Sequence, residues 1–463
     1  MRLWSAKIAF SLALCAAACS SSERDLDPSA SGGTAAGGTP GAAGALAQGG
    51  KAPGSGGTAP APTGGSTPGG TQGEGGKGGS TGGSTPTAGG TAPSNGGSAS
   101  SSGGASGAAT GGAPSAGMAG GGAFGTGTGG TAPTGEPAVR FVGRMDTSDA
   151  ARPKFAWSGS GVVARFRGTQ VSASFSGGQE YTVVLDGDVK DKFVPGQGMA
   201  PVVSNLPDGE HTIELYRRTE ANEGVSQFLG FDFGSGALLA PPPAPTRRIE
   251  IIGDSISCGY GNEGADMNCG FTPQTENHYL TYGAIAARAL GAELVTVAWS
   301  GKGVICNYGD GADSCNNNPM PVYYDRTLPN DAASKWDHSR FAPDAIVINL
   351  GTNDFSTDSD PSQQDFVGAY EQFVTNIRSK HPNARILLTN GSMLSGEDLT
   401  KARSYIEAVV TSFKGKGDDK ISSFTIEPQN SADGYGCDWH PSRATHQKMA
   451  AVLESALKAA LGW

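Results

Sequence analysis

Four short stretches of the chain hold side chains that could do chemistry together. GDSIS places Ser255 just past an apolar run, SGKG puts Gly301 and Gly303 in a turn, GTND supplies Asn353, and GCDWHPS supplies Asp438 and His440. A serine, two glycine turns, an asparagine and a histidine are the parts that acyl transfer needs: a nucleophile, a base to take its proton, and donors aimed at the oxyanion. Each also has an ordinary structural use. A serine after a strand commonly caps a helix, and GTND suits any turn. Asp254 and Asp354 are read as bracing their loops through backbone hydrogen bonds. Only the set as a whole points to acyl chemistry.

A second signal competes with the first. GYGNEG, Gly259 to Gly264, fits G-x-G-x-x-G, the dinucleotide-binding fingerprint. That fingerprint should begin in the turn directly after the strand. Gly259 lies seven residues beyond Ile252, and the next strand ends in AWSG with no acidic residue to hold a ribose hydroxyl. The match is read as accidental. The sequence contains no P-loop and no H-x-x-x-H spacing, so neither a cofactor nor a metal is expected.

The elements that must position these residues follow from the pattern. From Arg247 onward strand and helix alternate: RIEII, ELVTVAW, DAIVINL and ARILLTN read as strands. HYLTYGAIAARAL, DFVGAYEQFVTNIRSK, LTKARSYIEAVVTSF and ATHQKMAAVLESALKAAL read as helices. This is an α/β pattern, a parallel sheet with helices on both faces. Ligands in such open sheets bind beyond the carboxyl ends of the strands. The first three strands end into GDSIS, SGKG and GTND, and GCDWHPS precedes the last helix, so the four stretches converge on one rim.

Ahead of this unit, Ala138 to about Ala240 carries short alternating runs, with Asp186-Gly187 as a tight-turn signal. GVVARFRGTQVSASFSG, YTVVLDGDV and HTIELYRR are the clearest. This reads as a small β-sandwich, joined to the next unit by the stiff segment PPPAP, Pro241 to Pro245. The N-terminal part differs in kind. MRLWSAKIAFSLALCAAACSSS has Arg2 and Lys7, an apolar run, and small residues ending at Cys19, which reads as an export signal. AAAC followed by serines resembles a lipoprotein signal with Cys19 as the lipidated residue; plain secretion is the alternative. From Ser20 to Glu136 the chain is mostly Gly, Ala, Ser, Thr and Pro, with no aromatic residue between Phe10 and Phe124. Such a segment cannot bury enough apolar surface to offset its conformational entropy, so a disordered tether is expected, spanning roughly 60 Å r.m.s.. The expected boundaries are 1–19 signal, 20–136 linker, 137–243 sandwich and 246–463 α/β domain.

Charge narrows the partners. Residues 1–136 carry five basic and five acidic side chains, so the whole net charge of −10 falls on 137–463. No basic stripe for nucleic acid is present, and an acidic surface suits a neutral substrate better than an anionic one. No segment after the leader has the roughly 20 consecutive apolar residues needed to span a bilayer; contact with a membrane is expected only through a lipid anchor. A monomer is expected.

GDSIS, SGKG, GTND and the late DWHPS resemble the four blocks of the SGNH, or GDSL-type, hydrolases. WSGSGVVARFRGT, FTPQTENHYLTYGAIAARAL, PMPVYYDRTL and FAPDAIVINLGTNDFS, in this order, are closer still to carbohydrate esterase family 2. The resemblance covers 137–463 and implies a flavodoxin-like SGNH domain behind a jelly-roll sandwich. It implies removal of acetyl groups from acetylated polysaccharides or oligosaccharides of the hemicellulose type, with no cofactor. The alternatives are a GDSL-type lipase for longer acyl chains, or a glycan-binding surface lipoprotein with a dead site. By resemblance Ser255 is the nucleophile, His440 the base, and Ser255 N–H, Gly301 N–H and the Asn353 side chain the oxyanion hole, with Gly303 as a substitute for Gly301. The aromatics Tyr323, Tyr324 and Trp439 are candidates for stacking on sugar rings.

One departure from the SGNH pattern matters. The pattern is D-x-x-H, but Cys437 stands three before His440 and Asp438 only two before it. Two acceptors are therefore open for the second ring N–H of His440: the Asp438 carboxylate, or a backbone carbonyl of the CDW turn. Of seven cysteines, five lie in the α/β domain, fitting an oxidising compartment. Ser255 and His440 must meet, which brings Cys258 and Cys437 into one neighbourhood and suggests that pair, with Cys306–Cys315 as a second and Cys269 left free.

Overall fold

The computed structural model describes residues 138–463 except 178, 312–314, 316 and 357–359. The expected export signal, Cys19 and the tether lie outside the described residues.

Ten strands come first: β1 Arg140–Val142, β2 Lys154–Phe155, β3 Gly161–Gly168, β4 Val171–Ser176, β5 Tyr181–Leu185, β6 Asp188–Val189, β7 Ala200–Val203, β8 Gly209–Arg217, β9 Ser226–Asp232 and β10 Ala237–Leu239. One antiparallel sheet has the order β1-β3-β8-β5-β6, with β10 also on β3; the other is β2-β9-β4-β7. Alternation decides which face is buried. In β3, Ala164 and Phe166 are buried while Arg165 and Arg167 face solvent. Phe155, Phe166, Phe175, Tyr181 and Phe228 fill the space between the sheets. Asp186-Gly187 makes the β5–β6 turn, with both residues at positive φ.

The second unit is built on β11 Arg247–Gly253, α1 Ser255–Cys258, α2 Tyr282–Ala289, β12 Ala292–Ala298, β13 Ala345–Asn349, α3 Gln363–Lys380, β14 Arg385–Thr389, α4 Gly396–Gly415, β15 Ile421–Ser423 and α5 Arg443–Leu461. All neighbours in the order β12-β11-β13-β14-β15 are parallel. β13 is buried at all five positions, the continuous apolar run expected of a strand covered on both faces. Phe366, Tyr370 and Val374 of α3 and Ile406 and Val410 of α4 cover one face. Tyr282 and Ala286 of α2 and Leu453 and Leu457 of α5 cover the other. The chain reverses its winding between β11 and β13, and that switch point opens the crevice used for binding in sheets of this kind.

Three details depart from the sequence reading. A fifth strand, β15, follows α4; three residues, ISS, were too short to carry a pattern. The helix read from HYLTYGAIAARAL starts only at Tyr282, because Thr281 caps it by accepting from Ala284 N–H. The disulfides are Cys269–Cys437 and Cys306–Cys315, leaving Cys258 buried as the free thiol among the described residues. The expected Cys258–Cys437 pair does not form. Cys258 faces inward from α1 to Glu220, while Cys437 packs against the loop at Gly261 and Gly264 that brings Cys269 to it.

The sandwich docks on the sheet through buried polar groups. Arg144 Nη2 donates to Glu250 Oε1 of β11 at 2.8 Å, and Tyr324 O–H to Glu250 Oε2 at 3.1 Å. Arg218 pairs with Glu263, and Thr182 O–H donates to Asn277 at 3.2 Å. A buried ion pair is tolerated when further hydrogen bonds satisfy it, as at Glu250.

Candidate active site

Ser255 stands at the carboxyl end of β11, on the switch-point crevice. The N-cap of α1 is Asp254, not Ser255: Asp254 Oδ1 accepts from Ile256 N–H at 3.0 Å. This leaves the serine hydroxyl free of capping duty. His440 Nε2 lies 2.9 Å from Ser255 Oγ.

The histidine is oriented by main chain. Its Nδ1 sits 3.2 Å from the carbonyl of Cys437 and 3.1 Å from that of Asp438. Nδ1 therefore carries the proton, and Nε2 presents its lone pair to the serine. The Asp438 carboxylate is occupied elsewhere, accepting from Tyr260 O–H at 2.8 Å and from Phe271 N–H at 3.0 Å. The expectation that its side chain orients the ring is thus corrected, for a geometric reason. Asp438 and Trp439 both take positive φ, 51° and 64°, which turns the carbonyls toward the ring and the carboxylate away. Non-glycine residues hold such angles only where the surroundings impose them. Here the Cys269–Cys437 disulfide, Asp438 N–H to Cys269 O at 3.0 Å and Cys437 N–H to Gly261 O at 3.0 Å do so. Tyr260 stacks on the imidazole with ring centroids 4.0 Å apart. Burial pushes the His440 pKa down to about 4 against the upward pull of the two carbonyls, so the ring is neutral near pH 7 and its Nε2 is open to a proton.

The glycines of GYGNEG are explained without a cofactor. Gly259 takes φ 90° after α1. A Cβ at Gly264 would lie 2.3 Å from Cys437 Sγ and 2.6 Å from Cys269 Sγ, so the disulfide needs glycine there. Tyr260, inside this motif, was passed over in the sequence; its place five residues beyond Ser255 was its only signal.

Two turns and a carboxylate shape the rest of the site. Gly301 has φ 77°, and neither its N–H nor that of Ser255 has a protein acceptor among the described residues. Gly303 is required by space instead: a Cβ there would meet Cys306 O at 1.9 Å. Asn353 Nδ2 donates to Lys302 O at 3.0 Å and makes a long 3.4 Å contact with Asp254 Oδ2. Asp354 accepts from the N–H groups of Val304, Ile305 and Cys306 at 2.8–2.9 Å. Asp254 braces its own loop, as read from the sequence, whereas Asp354 braces the loop at Val304 to Cys306 and not its own. Burial raises Asp254 to about 7 and Asp354 to about 6, in each case against backbone N–H groups that pull the other way.

Of the three candidate stacking rings, Trp439 is 55 % exposed next to His440. Tyr323 packs on Trp299. Tyr324 is fully buried against Glu250, which removes it from any sugar-binding role. Among the described residues, one group of possible metal ligands occurs, Glu220, Cys258 and Glu276, with donor atoms within 4.8 Å of one another. It lies beneath the site: Glu220 accepts from Ser300 N–H, and Glu276 accepts from Glu220 N–H.

Comparisons with known proteins point to one family. Residues 141–243 match the family "Carbohydrate esterase 2 N-terminal", and residues 251–448 match "GDSL-like Lipase/Acylhydrolase family". A solved family two carbohydrate esterase from Clostridium thermocellum, in complex with cellohexaose, is 43 % identical with a TM-score of 0.67, covering 70 % of this chain and 99 % of that one. "Cellulase/esterase CelE" of Acetivibrio thermocellus is 45 % identical over 334 residues, 71 % of this chain; the match spans only 40 % of that longer protein. "Acetylxylan esterase / glucomannan deacetylase" of Cellvibrio japonicus is 29 % identical over 72 % of this chain and 92 % of its own length.

Proposed function

Since the chain belongs to carbohydrate esterase family 2, we propose that it removes O-acetyl groups from polysaccharides or oligosaccharides of the hemicellulose type through an acyl-enzyme. One observation carries the reading: the 2.9 Å approach of His440 Nε2 to Ser255 Oγ, with the other ring nitrogen held by two carbonyls.

In this mechanism Ser255 Oγ gives its proton to His440 Nε2 as it attacks the acetyl carbonyl. The Cys437 and Asp438 carbonyls steady the imidazolium. The oxyanion accepts the unengaged N–H groups of Ser255 and Gly301 and the Asn353 hydrogen that rests in the long contact with Asp254. The intermediate collapses, and the sugar oxygen takes the proton from His440 Nε2. Water, deprotonated by the same nitrogen, then attacks acetyl-Ser255, and as acetate leaves Ser255 Oγ takes that proton back from His440 Nε2. No step calls on a cofactor.

The names of the Cellvibrio relative and the cellohexaose bound to the Clostridium relative support a neutral glycan chain as substrate. Exposed Trp439 beside His440 offers that chain an apolar ring face. We propose further that the protein is exported and lipidated at Cys19, and that residues 20–136 tether a monomeric head to the cell surface; the leader and the linker composition support this.

The test is acetate release from acetylated xylan and acetylated glucomannan by the native protein and by Ser255→Ala, beside 4-nitrophenyl esters of acetate and of a long-chain acid. Acetate release that Ser255→Ala abolishes is the expected result. Preference for the long-chain ester, or near-normal release by Ser255→Ala, would overturn the proposal.

A further inference from the structure

The turn between β8 and β9 of the sandwich reaches under the crevice. Glu220, at its start, is 1 % exposed. Its Oε2 accepts from the main-chain N–H of Ser300 at 2.7 Å and lies 3.8 Å from the Cys258 thiol. Ser300 directly precedes Gly301, and Cys258 closes the four-residue helix that Ser255 opens. One carboxylate oxygen thus touches both segments that carry the unengaged N–H groups of the site.

The turn itself is held firmly. Arg217, fully buried, donates through Nε to Thr219 O at 2.9 Å and through Nη2 to Glu220 O at 2.6 Å. Glu220 N–H donates to Glu276 Oε2 at 3.1 Å. Two residues on, Asn222 Oδ1 accepts from the Trp299 indole N–H at 2.7 Å, and Ala221 O accepts from Asn330 Nδ2 at 2.9 Å. The sandwich therefore anchors the Trp299–Gly301 turn at two consecutive residues, the Trp299 indole and the Ser300 N–H, in addition to Trp299 N–H on Gly253 O of β11 at 3.2 Å and Tyr308 N–H on Gly301 O at 2.8 Å. An oxyanion hole works only if its donors are fixed before the charge develops, and Gly301 follows a residue whose N–H has this one partner.

We infer that Glu220 is a positioning residue for the oxyanion hole, so that the sandwich domain completes the catalytic site of the α/β domain. The inference rests on the esterase reading above. Glu220 touches no reacting atom; it sets the aim of Gly301 N–H relative to Ser255. The three groups Glu220, Cys258 and Glu276 have the spacing of a metal site, but the Glu220 oxygen and one Glu276 oxygen already serve main-chain donors, which favours the positioning role.

The experiment is steady-state kinetics on 4-nitrophenyl acetate and acetylated xylan for Glu220→Ala, Glu220→Asp and Glu220→Gln, with thermal unfolding of each. Glu220→Ala is expected to lower kcat about 10- to 100-fold, a part of what loss of a whole oxyanion donor costs, with KM within about threefold. Glu220→Gln keeps an oxygen at the Ser300 N–H and should stay within about fivefold of native kcat. Glu220→Asp keeps the buried carboxyl but withdraws it by one methylene; it should behave like Glu220→Ala and decides the matter if the alanine variant does not fold. A folded Glu220→Asp or Glu220→Ala with native kcat, a loss confined to KM, or a Glu220→Gln as impaired as Glu220→Ala would overturn the inference. Ser255→Ala, assayed alongside, distinguishes this failure from failure of the esterase reading, since only the latter leaves that variant active.

Discussion

Asp438→Asn separates a triad from a dyad. Asp438 precedes His440 by two residues, and a carboxylate acting on the imidazole would fix its tautomer and stabilise its charged form. Replacing such a triad aspartate by asparagine costs on the order of 10⁴ in kcat, because the amide favours the wrong tautomer. The geometry here predicts far less. Nδ1 is held by the carbonyls of Cys437 and Asp438, which the substitution leaves in place. What changes is the pair of hydrogen bonds from Tyr260 O–H and Phe271 N–H. Both are accepted by one oxygen, Oδ2, so an asparagine oxygen in that place keeps both and loses only the charge assistance, a difference of about 1 kcal/mol. Asparagine also tolerates φ 51° as well as aspartate does. If all of that difference reached the transition state through the Tyr260 ring stacked on His440, kcat would fall by no more than about tenfold, at 1.36 kcal/mol per factor of ten. Losing the nearby carboxylate also removes an upward influence on the imidazole, so its pKa should fall slightly. The assay is kcat on 4-nitrophenyl acetate from about pH 4 to 9, with acetate release from acetylated xylan as a check. A loss of about 10³ or more, with the protein folded, would refute the reasoning and return the carboxylate to the reaction.

Asn353→Ala removes the side-chain oxyanion donor and should lower kcat about 10²–10³-fold; an unchanged rate in steady-state assays would move that role to another group. Burial lowers His440 to about 4, so the base is present above that pH and is lost as pH falls through it. A histidine Cε1–H resonance, assigned by its absence in His440→Gln, should accordingly titrate well below the ordinary histidine value of about 6.5, and a midpoint at or above that value would contradict the desolvation of the ring. Cys269→Ser opens a link between residues 168 apart in sequence, which the chain-entropy argument values at about 5 kcal/mol, and it frees the turn that aims the carbonyls at His440. Both the thermal midpoint and kcat should drop, and a native midpoint would show that packing alone holds the turn.

The parts of the site were readable in the chain because strand ends and turn residues are local. β11, β12 and β13 are mostly apolar runs that stop at Gly253, Ala298 and Asn349, and a parallel sheet sends whatever follows such ends to one rim. Ser255, Gly301 and Asn353 follow such ends, and His440 was read from its place just before the last helix, although their meeting still depends on the sheet order. β15 was missed because three residues carry no period. The bracing by Asp254 was legible for the same local reason, since it accepts from Ile256 two residues on, whereas Asp354 braces the distant turn at Val304 to Cys306, which no local pattern shows.

Other features depended on contacts distant in sequence, and no local pattern encodes those. Asp438 is two residues from His440, close enough for either role; the choice was made by two left-handed residues, which a disulfide to Cys269 and hydrogen bonds to Gly261 and Cys269 impose. Spacing from Ser255 and His440 placed Cys258 near Cys437, but side-chain direction sent the one inward to Glu220 and the other toward Cys269. Tyr324 looks like any exposed aromatic until Arg144 and Glu250 close around it. Glu220 itself lies in the sandwich, 80 residues before the Ser300 whose N–H it holds. Sequence patterns report what a residue needs from its neighbours along the chain. Which distant group supplies it is set by how the two units pack, because burial leaves a polar atom only the partners within about 3 Å of it.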